Sequence, residues 1–231
     1  MNTDRNHRDI TDRGARNRFL IADDARLTGS IHVEGDDNRI ELAAGAVVGP
    51  DDPLRPGPVL EIHGSRNQVS IGTRALANMQ VKLDGDDCRL HIDADCNLTF
   101  NANLRAAGAI HVGQGTTMVK ASLQVHETGS ISIGKDCMIS TLVYLSVSDI
   151  HPIYDRDTGE RLNPAASVQI GDHVWLGLRS MIMKGADIGS GAVVAAAAVV
   201  SGKVPPNTIV AGTPARVVRE NVEWRRDFDR S

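Results

Sequence analysis

The chain has 231 residues, with Lys+Arg 25 against Asp+Glu 29 and a net charge of -4. That mild acidity supplies no basic face for nucleic acid, and no run of about 18 apolar residues is present to span a membrane. Aromatic residues are few (Phe 3, Trp 2, Tyr 2), so a core must be built from Ile, Val, Leu and Ala, which suits thin stacked layers better than a thick globule.

In chain order, the opening MNTDRNHRDITDRGARNRFL is too charged for the apolar stretch of a signal peptide. Residues 1–30 read as an N-terminal arm, flexible or briefly helical. From residue 31 the chain repeats itself. Residues 35–42 are GDDNRIEL, 64–71 GSRNQVSI, 85–92 GDDCRLHI, 106–112 AAGAIHV, 127–133 ETGSISI and 165–170 AASVQI. Each is a small or polar turn followed by apolar-x-apolar. The last apolar positions are Leu42, Ile71, Ile92, Val112, Ile133, Ile170 and Ile188, at spacings of 29, 21, 20, 21, 37 and 18. Four positions after several of them stands a short side chain: Ala75, Cys96, Thr116, Cys137, Val174 and Ala192.

The unit is cleanest toward the end, where Ile170, Leu176, Ile182, Ile188, Val194 and Val200 recur every six residues. One large and one small inward residue per six makes a short flat side and a tight corner. Three sides make a triangular coil, and coils stack at a strand spacing of roughly 4.8 Å. No coil is stable without its neighbours. The spacing therefore predicts an all-β parallel β-helix over 31–213, in about seven to nine coils. The spacing of 29 carries the Pro/Gly-rich stretch 49–58, which cannot join a ladder. The spacing of 37 exceeds one coil by about 19 residues, placing an insertion loop at 148–166. Residues 214–231 read as a C-terminal helix that docks Val217, Val218, Val222 and Trp224 on the last coil. Cys88, Cys96 and Cys137 form no CxxC pair and are odd in number, which points to buried thiols in a reducing, cytoplasmic compartment.

IGDHVWLGLRSMIMKGADIGSGAVVAAAAVVSGKVPPNTIVAGTPARVVRE (170–220) and LSVSDIHP (145–152) resemble the hexapeptide-repeat acyltransferases, in particular their maltose/galactoside and polysaccharide O-acetyltransferase branch. The resemblance implies a left-handed β-helix assembled as a homotrimer, with acetyl-CoA as cosubstrate and a saccharide hydroxyl as acceptor. Left-handedness opposes the usual crossover rule and comes from the resemblance alone.

Acetyl transfer from a thioester to an alcohol needs a base, donors for the developing oxyanion and a positioned thioester. His151 lies in the insertion and matches the family's catalytic His, while Asp149 is placed to orient it or bind a sugar hydroxyl. Trp175 matches the family Trp beside the donor–acceptor groove. By resemblance Gly177, Leu178, Ala195 and Ala196 line the pantetheine slot, with Ser201 nearby and Lys203, Arg216 and Arg219 as phosphate ligands. This chain has Ser201-Gly202-Lys203 where the family commonly has Thr-Lys-Asp, which shifts the Lys by one. On the acceptor side Lys120 and Ser122 stand where galactoside-type enzymes carry Asn, which argues against the same simple sugar. Tyr154, Asp155, Arg156 and Arg161 extend the acceptor set toward a larger or anionic glycan, and a solvated loop is the alternative.

His32, His91 and His111 read as solvated strand residues and His173 as a structural corner residue. No His-x-x-x-x-His pair occurs, so the zinc-binding γ-carbonic-anhydrase relatives of the fold fit poorly and no metal is expected. Two other function classes stay open at this point. One is N-acetylation of a sugar nucleotide, and the other a non-catalytic β-helix scaffold.

Overall fold

The computed structural model describes residues 9–50 and 58–227. Most of the Pro/Gly-rich stretch 49–58 lies outside them. Two sheets, parallel except for the terminal strand, run the length of a single solenoid, one of nine strands and one of fifteen that wraps two sides of the coil.

The nine-stranded sheet holds one strand per coil: Arg18–Ile21, Arg39–Leu42, Gln68–Ile71, Arg89–Ile92, Ala109–Val112, Ser130–Ile133, Val168–Ile170, Asp187–Ile188 and Lys203–Val204. All seven marker residues fall in one column. Leu42 pairs with Ile71, Ile71 with Ile92, Ile92 with Val112, Val112 with Ile133, Ile133 with Ile170, and Ile170 with Ile188. Ile21 and Val204 extend the column at its two ends. The markers are buried, and so are the small corner residues Ala75, Cys96, Thr116, Cys137, Val174 and Ala192.

Coils of two kinds explain the mixed spacings of 18 and about 21. Beyond Ile170 each side is a strand of two or three residues, such as Trp175–Leu176, Met181–Ile182 and Asp187–Ile188. Earlier coils run one nine-residue strand across two sides, as in Leu76–Asp84, Asn97–Arg105, Thr117–Val125 and Met138–Ser146. The two halves of Met138–Ser146 pair separately with Trp175–Leu176 and Met181–Ile182, which joins the long coils to the hexad coils.

One corner is built from the G-x-x-N turns. Arg16, Asp37, Arg66 and Asp87 occupy equivalent left-handed positions (φ 59, 58, 60 and 59), and opposite charges meet on adjacent coils. Arg16 binds Asp37 at 2.6 and 2.7 Å, and Arg66 binds Asp87 at 2.8 and 2.9 Å. These guanidiniums hold Asp37 and Asp87 below the ordinary carboxylate range. The pairs are exposed, so they set register more than they add stability. Beside them runs an amide column, half-buried at Asn17 and buried at Asn38 and Asn67. Oδ1 of Asn17, Asn38 and Asn67 accepts in turn from the backbone N–H of Asn38, Asn67 and Cys88. Gly64 belongs to the same corner with φ +146, where a Cβ would lie 2.2 Å from the Gly85 carbonyl oxygen.

Two expectations about the ends are corrected. Of the expected arm 1–30, residues 1–8 lie outside the described residues and the rest is not an arm: Ile10–Asp12, Arg18–Ile21 and Arg26–Leu27 form the first coil, pairing with Ser30–Glu34, Arg39–Leu42 and Val47–Gly49. That coil is hard to see in the sequence because its apolar positions are sparse and charge surrounds them. Residues 214–227 contain no helix. Arg216–Arg219 is a strand antiparallel to Ile209–Ala211. The last coil presents unpaired N–H and C=O groups, which a strand satisfies and a helix cannot. Val217 and Val218 are consequently exposed, and Trp224 is buried against His173 on the side of the solenoid, not on the last coil.

The Asn column yields a prediction. Asn38→Ala strands the buried Asn67 N–H and removes the Nδ2 bond to the Gly64 carbonyl. A loss of about 2 kcal/mol is expected, seen as a lower urea midpoint than that of an exposed control such as Arg39→Ala.

Candidate active site

The expected insertion is present, and it leaves the coil after Met138–Ser146 and returns at Val168–Ile170. Its tip is a small hairpin, with Tyr154 bridging Arg161 and the Leu162 N–H donating to the Ile153 carbonyl at 2.8 Å. Two straps tie it down. Arg161 grips Glu127 through both guanidinium nitrogens at 2.8 and 2.9 Å, which keeps the Glu127 carboxyl below its ordinary range. Lys184 reaches Asp149 at 2.6 Å from the next coil.

Asn163 is the loop's internal brace. It is buried, accepts from the Ile153 N–H at 2.6 Å, and donates to both Asp149 Oδ2 at 2.9 Å and the His151 carbonyl at 3.0 Å. His151 is thereby held by its backbone, with its N–H also donating to the Asp149 carbonyl at 2.7 Å. Ile150 just before it sits at φ 68, a costly conformation for a β-branched residue that persists only when its surroundings enforce it. The His151 side chain is exposed, and its imidazole makes no hydrogen bond among the described residues. A ring aimed outward from a fixed, strained backbone is suited to take a proton from something outside the chain.

Asp149 does not orient that ring. Its carboxylate is committed to Lys184 and Asn163, whose hydrogen bonds, Lys184 first, lower its pKa. Asp155 is likewise committed: its Oδ1 accepts from the Asp157 and Thr158 N–H groups in the hairpin turn. Ser122 donates to Asn101 Oδ1 and accepts from Gln124 Nε2, which in turn receives Asn103 at its carbonyl. The Ser122 hydroxyl therefore belongs to an amide array of its own. Lys120 stands at a register shift beside it, and Tyr154 and Arg156 are exposed on the hairpin.

The residues read as donor-binding fall into two places. Gly177 and Leu178 stack on Ala195 and Ala196 at one corner, where a Gly177 Cβ would stand 2.7 Å from the Ala196 nitrogen. Trp175, on the adjoining side, is 38% exposed and lies 6.1 Å from Trp224. Ser201, Lys203 and Arg216 instead line a cleft of about 340 Å³ at the end of the solenoid. Arg219 is on the terminal strand but does not line that cleft. Lys184, and with it the His151 loop, lies one coil below Ser201-Gly202, since the Met183 N–H donates to the Val200 carbonyl and the Asp187 N–H to the Gly202 carbonyl. One chain thus gathers the loop and the cleft at one edge and leaves Trp175, Gly177 and Ala196 around the corner.

Asn163, Lys184 and Glu127 carry no signal in the sequence. Their partners all lie in the loop, 10–35 residues away along the chain, and no local pattern marks them.

Two outcomes follow from the straps. Asn163→Ala should raise hydrogen exchange across 149–163 while leaving the coils protected. Because the folded carboxyl of Asp149 titrates below its unfolded value of about 3.9, the Lys184 strap is in force above that value and is lost as pH falls through the folded one. Loop protection should therefore persist from pH 7 to about 5 and fail only below about 4.

Comparison with known proteins agrees with this architecture. Residues 167–201 match the family model described as the hexapeptide repeat of succinyl-transferase. The polysialic acid O-acetyltransferase of Neisseria meningitidis is 36% identical over 128 residues, covering 54% of this chain and 60% of that protein. The chain thus matches under two thirds of that relative's length. The solved polysialic acid O-acetyltransferase OatWY superposes with a TM-score of 0.75 at 28% identity, covering 96% of this chain and 93% of the other. The polySia-specific acetyltransferase NeuO gives 0.74 at 25%, covering 96% and 90%. Repeat, register and these likenesses together show that the chain resembles the hexapeptide-repeat acyltransferases.

Proposed function

We propose that the chain is an O-acetyltransferase that moves acetyl from acetyl-CoA to a hydroxyl of a saccharide, a surface or capsular polysaccharide or its precursor. The observation that carries this reading is the exposed His151 imidazole on a braced, strained loop at the edge that also bears the Lys203–Arg216 cleft. The names of the polysialic acid O-acetyltransferases above support the acceptor class.

In this reading neutral His151 accepts the acceptor hydroxyl proton as the oxygen attacks the thioester carbonyl. When the carbon–sulfur bond breaks, the imidazolium returns that proton to the departing thiolate. Lys203 and Arg216 fit the donor's phosphates because both line that cleft and have no ion-pair partner among the described residues. Ala195 and Ala196 leave a thin wall for the pantetheine arm. Transfer is direct, because no thiol is poised to form an acyl-enzyme. Cys88, Cys96 and Cys137 are all buried, and burial pushes Cys96 and Cys137 up to about 11, far from the thiolate a nucleophile needs.

The chain acts as a homotrimer with sites between subunits. Trp175, Gly177 and Ala196 are around the corner from His151 within one chain, so a neighbouring copy completes the constellation. Exposed Leu142, Trp175, Leu178 and Met181 near that corner, and Ile150, Ile153 and Leu162 on the loop, supply apolar surface for the contact. No helix among the described residues is long and apolar enough to cross a membrane. A cytoplasmic location fits the cosubstrate and the free thiols.

His151→Ala should lower kcat by about 10²–10⁴-fold with acetyl-CoA affinity nearly intact, whereas Cys137→Ala should affect stability more than turnover. A His151 variant of near-normal turnover beside a dead Cys137 variant, both folded, would falsify this mechanism. Light scattering checks the assembly, with three times the chain mass of 24.7 kDa expected and a fully active monomer counting against it.

A further inference from the structure

We propose that His91, Asp93 and His111 form a binding site for a zinc-class divalent cation on the outer face of the nine-stranded sheet. The site is separate from the acyl-transfer chemistry and does not rest on it. His91 and His111 are direct register partners in the strands Arg89–Ile92 and Ala109–Val112, so the coil stacking fixes their separation. Their rings face each other with centroids 5.3 Å apart and a tilt of 27°. Asp93 is the first residue beyond the strand that ends at Ile92, and its backbone N–H is pinned to the Val112 carbonyl at 2.9 Å. The same inter-coil ladder therefore positions all three side chains.

The two imidazoles converge on one carboxylate. His91 Nε2 lies 2.9 Å from Asp93 Oδ1, and His111 Nε2 lies 3.3 Å from Asp93 Oδ2. The three ligand atoms lie within 4.8 Å of one another. A tetrahedral ion with ligands at about 2.0–2.1 Å has neighbouring ligand atoms about 3.3 Å apart, so a cation enters with only small side-chain rotations. In the metal-free chain each Nε2–H donates to the carboxylate. With the ion bound, each ring presents its Nε2 lone pair as the Nδ1–H tautomer.

Ligand type selects the ion. Two imidazoles and one carboxylate suit zinc and its late first-row neighbours, whereas magnesium favours an octahedral shell rich in oxygen and water. Side chains that are 52%, 27% and 46% exposed for His91, Asp93 and His111 leave an approach from solvent and a fourth position open. The neighbouring rungs are Ser70 below His91 and Ser132 above His111, short side chains that do not crowd the site.

The test is calorimetric titration of Zn²⁺ into the untagged full-length chain after chelator treatment, with Mg²⁺ as the control. Saturable uptake of one Zn²⁺ per chain is expected, with no Mg²⁺ uptake, and affinity should drop by about tenfold or more in His111→Ala and in Asp93→Asn. All three side chains point outward, so circular dichroism of the variants should match the parent. Absence of Zn²⁺ uptake overturns the proposal. So does uptake unchanged in a His91→Ala/His111→Ala double variant, which would assign the ion to other groups.

Discussion

Backbone hydrogen bonds between successive coils are the constraint on which everything else in this molecule depends. Each coil is too thin to hold a core, so its apolar side chains are buried only by the coils above and below. In-register pairing puts like residues in columns, and the column from Ile21 through Ile92 and Ile170 to Val204 never slips. A one-residue slip would turn every inward side chain out. The corner pairs Arg16–Asp37 and Arg66–Asp87 and the Asn column oppose such a slip.

The loop at 147–167 uses that rigidity. Irregular backbone needs outside partners, and here the coils supply them through Glu127 and Lys184 while Asn163 supplies one from within. The solenoid can therefore hold Ile150 in an unfavourable conformation and keep His151 outward at a fixed height. A stiff scaffold that carries a braced excursion keeps the exposed loop tip apart from the ladders that hold the coils together.

The open end of the solenoid is managed by the tail. Arg216–Arg219 pairs with the last coil, and the chain then runs back along the side of the molecule. Trp224 stacks on His173 at 4.0 Å, and Arg226 reaches Asp136, Thr117 and the Cys137 carbonyl. This return packs Trp224 beside Trp175, so the tail that closes the sheet edge also shapes the neighbourhood of a residue assigned to the acyl-transfer site.

The repeat, the inward column and the place of the insertion are all written in the linear chain, because each is a local pattern of period six or a break in it. Leu42 to Ile188 stack as their spacing required, and His151 stands on the excursion that the 37-residue gap announced. Which residues meet across coils is settled only on folding, since no local pattern encodes a contact some 20 or more residues away. Asp149 faces Lys184 and Asn163 instead of the His151 ring, and Asp155 Oδ1 closes a turn. His91 and His111, individually ordinary strand residues, become neighbours with Asp93 between them. The first coil and the terminal strand depart from their sequence expectation for one shared reason: pairing with an adjacent coil, more than local propensity, fixes conformation at the ends of a solenoid.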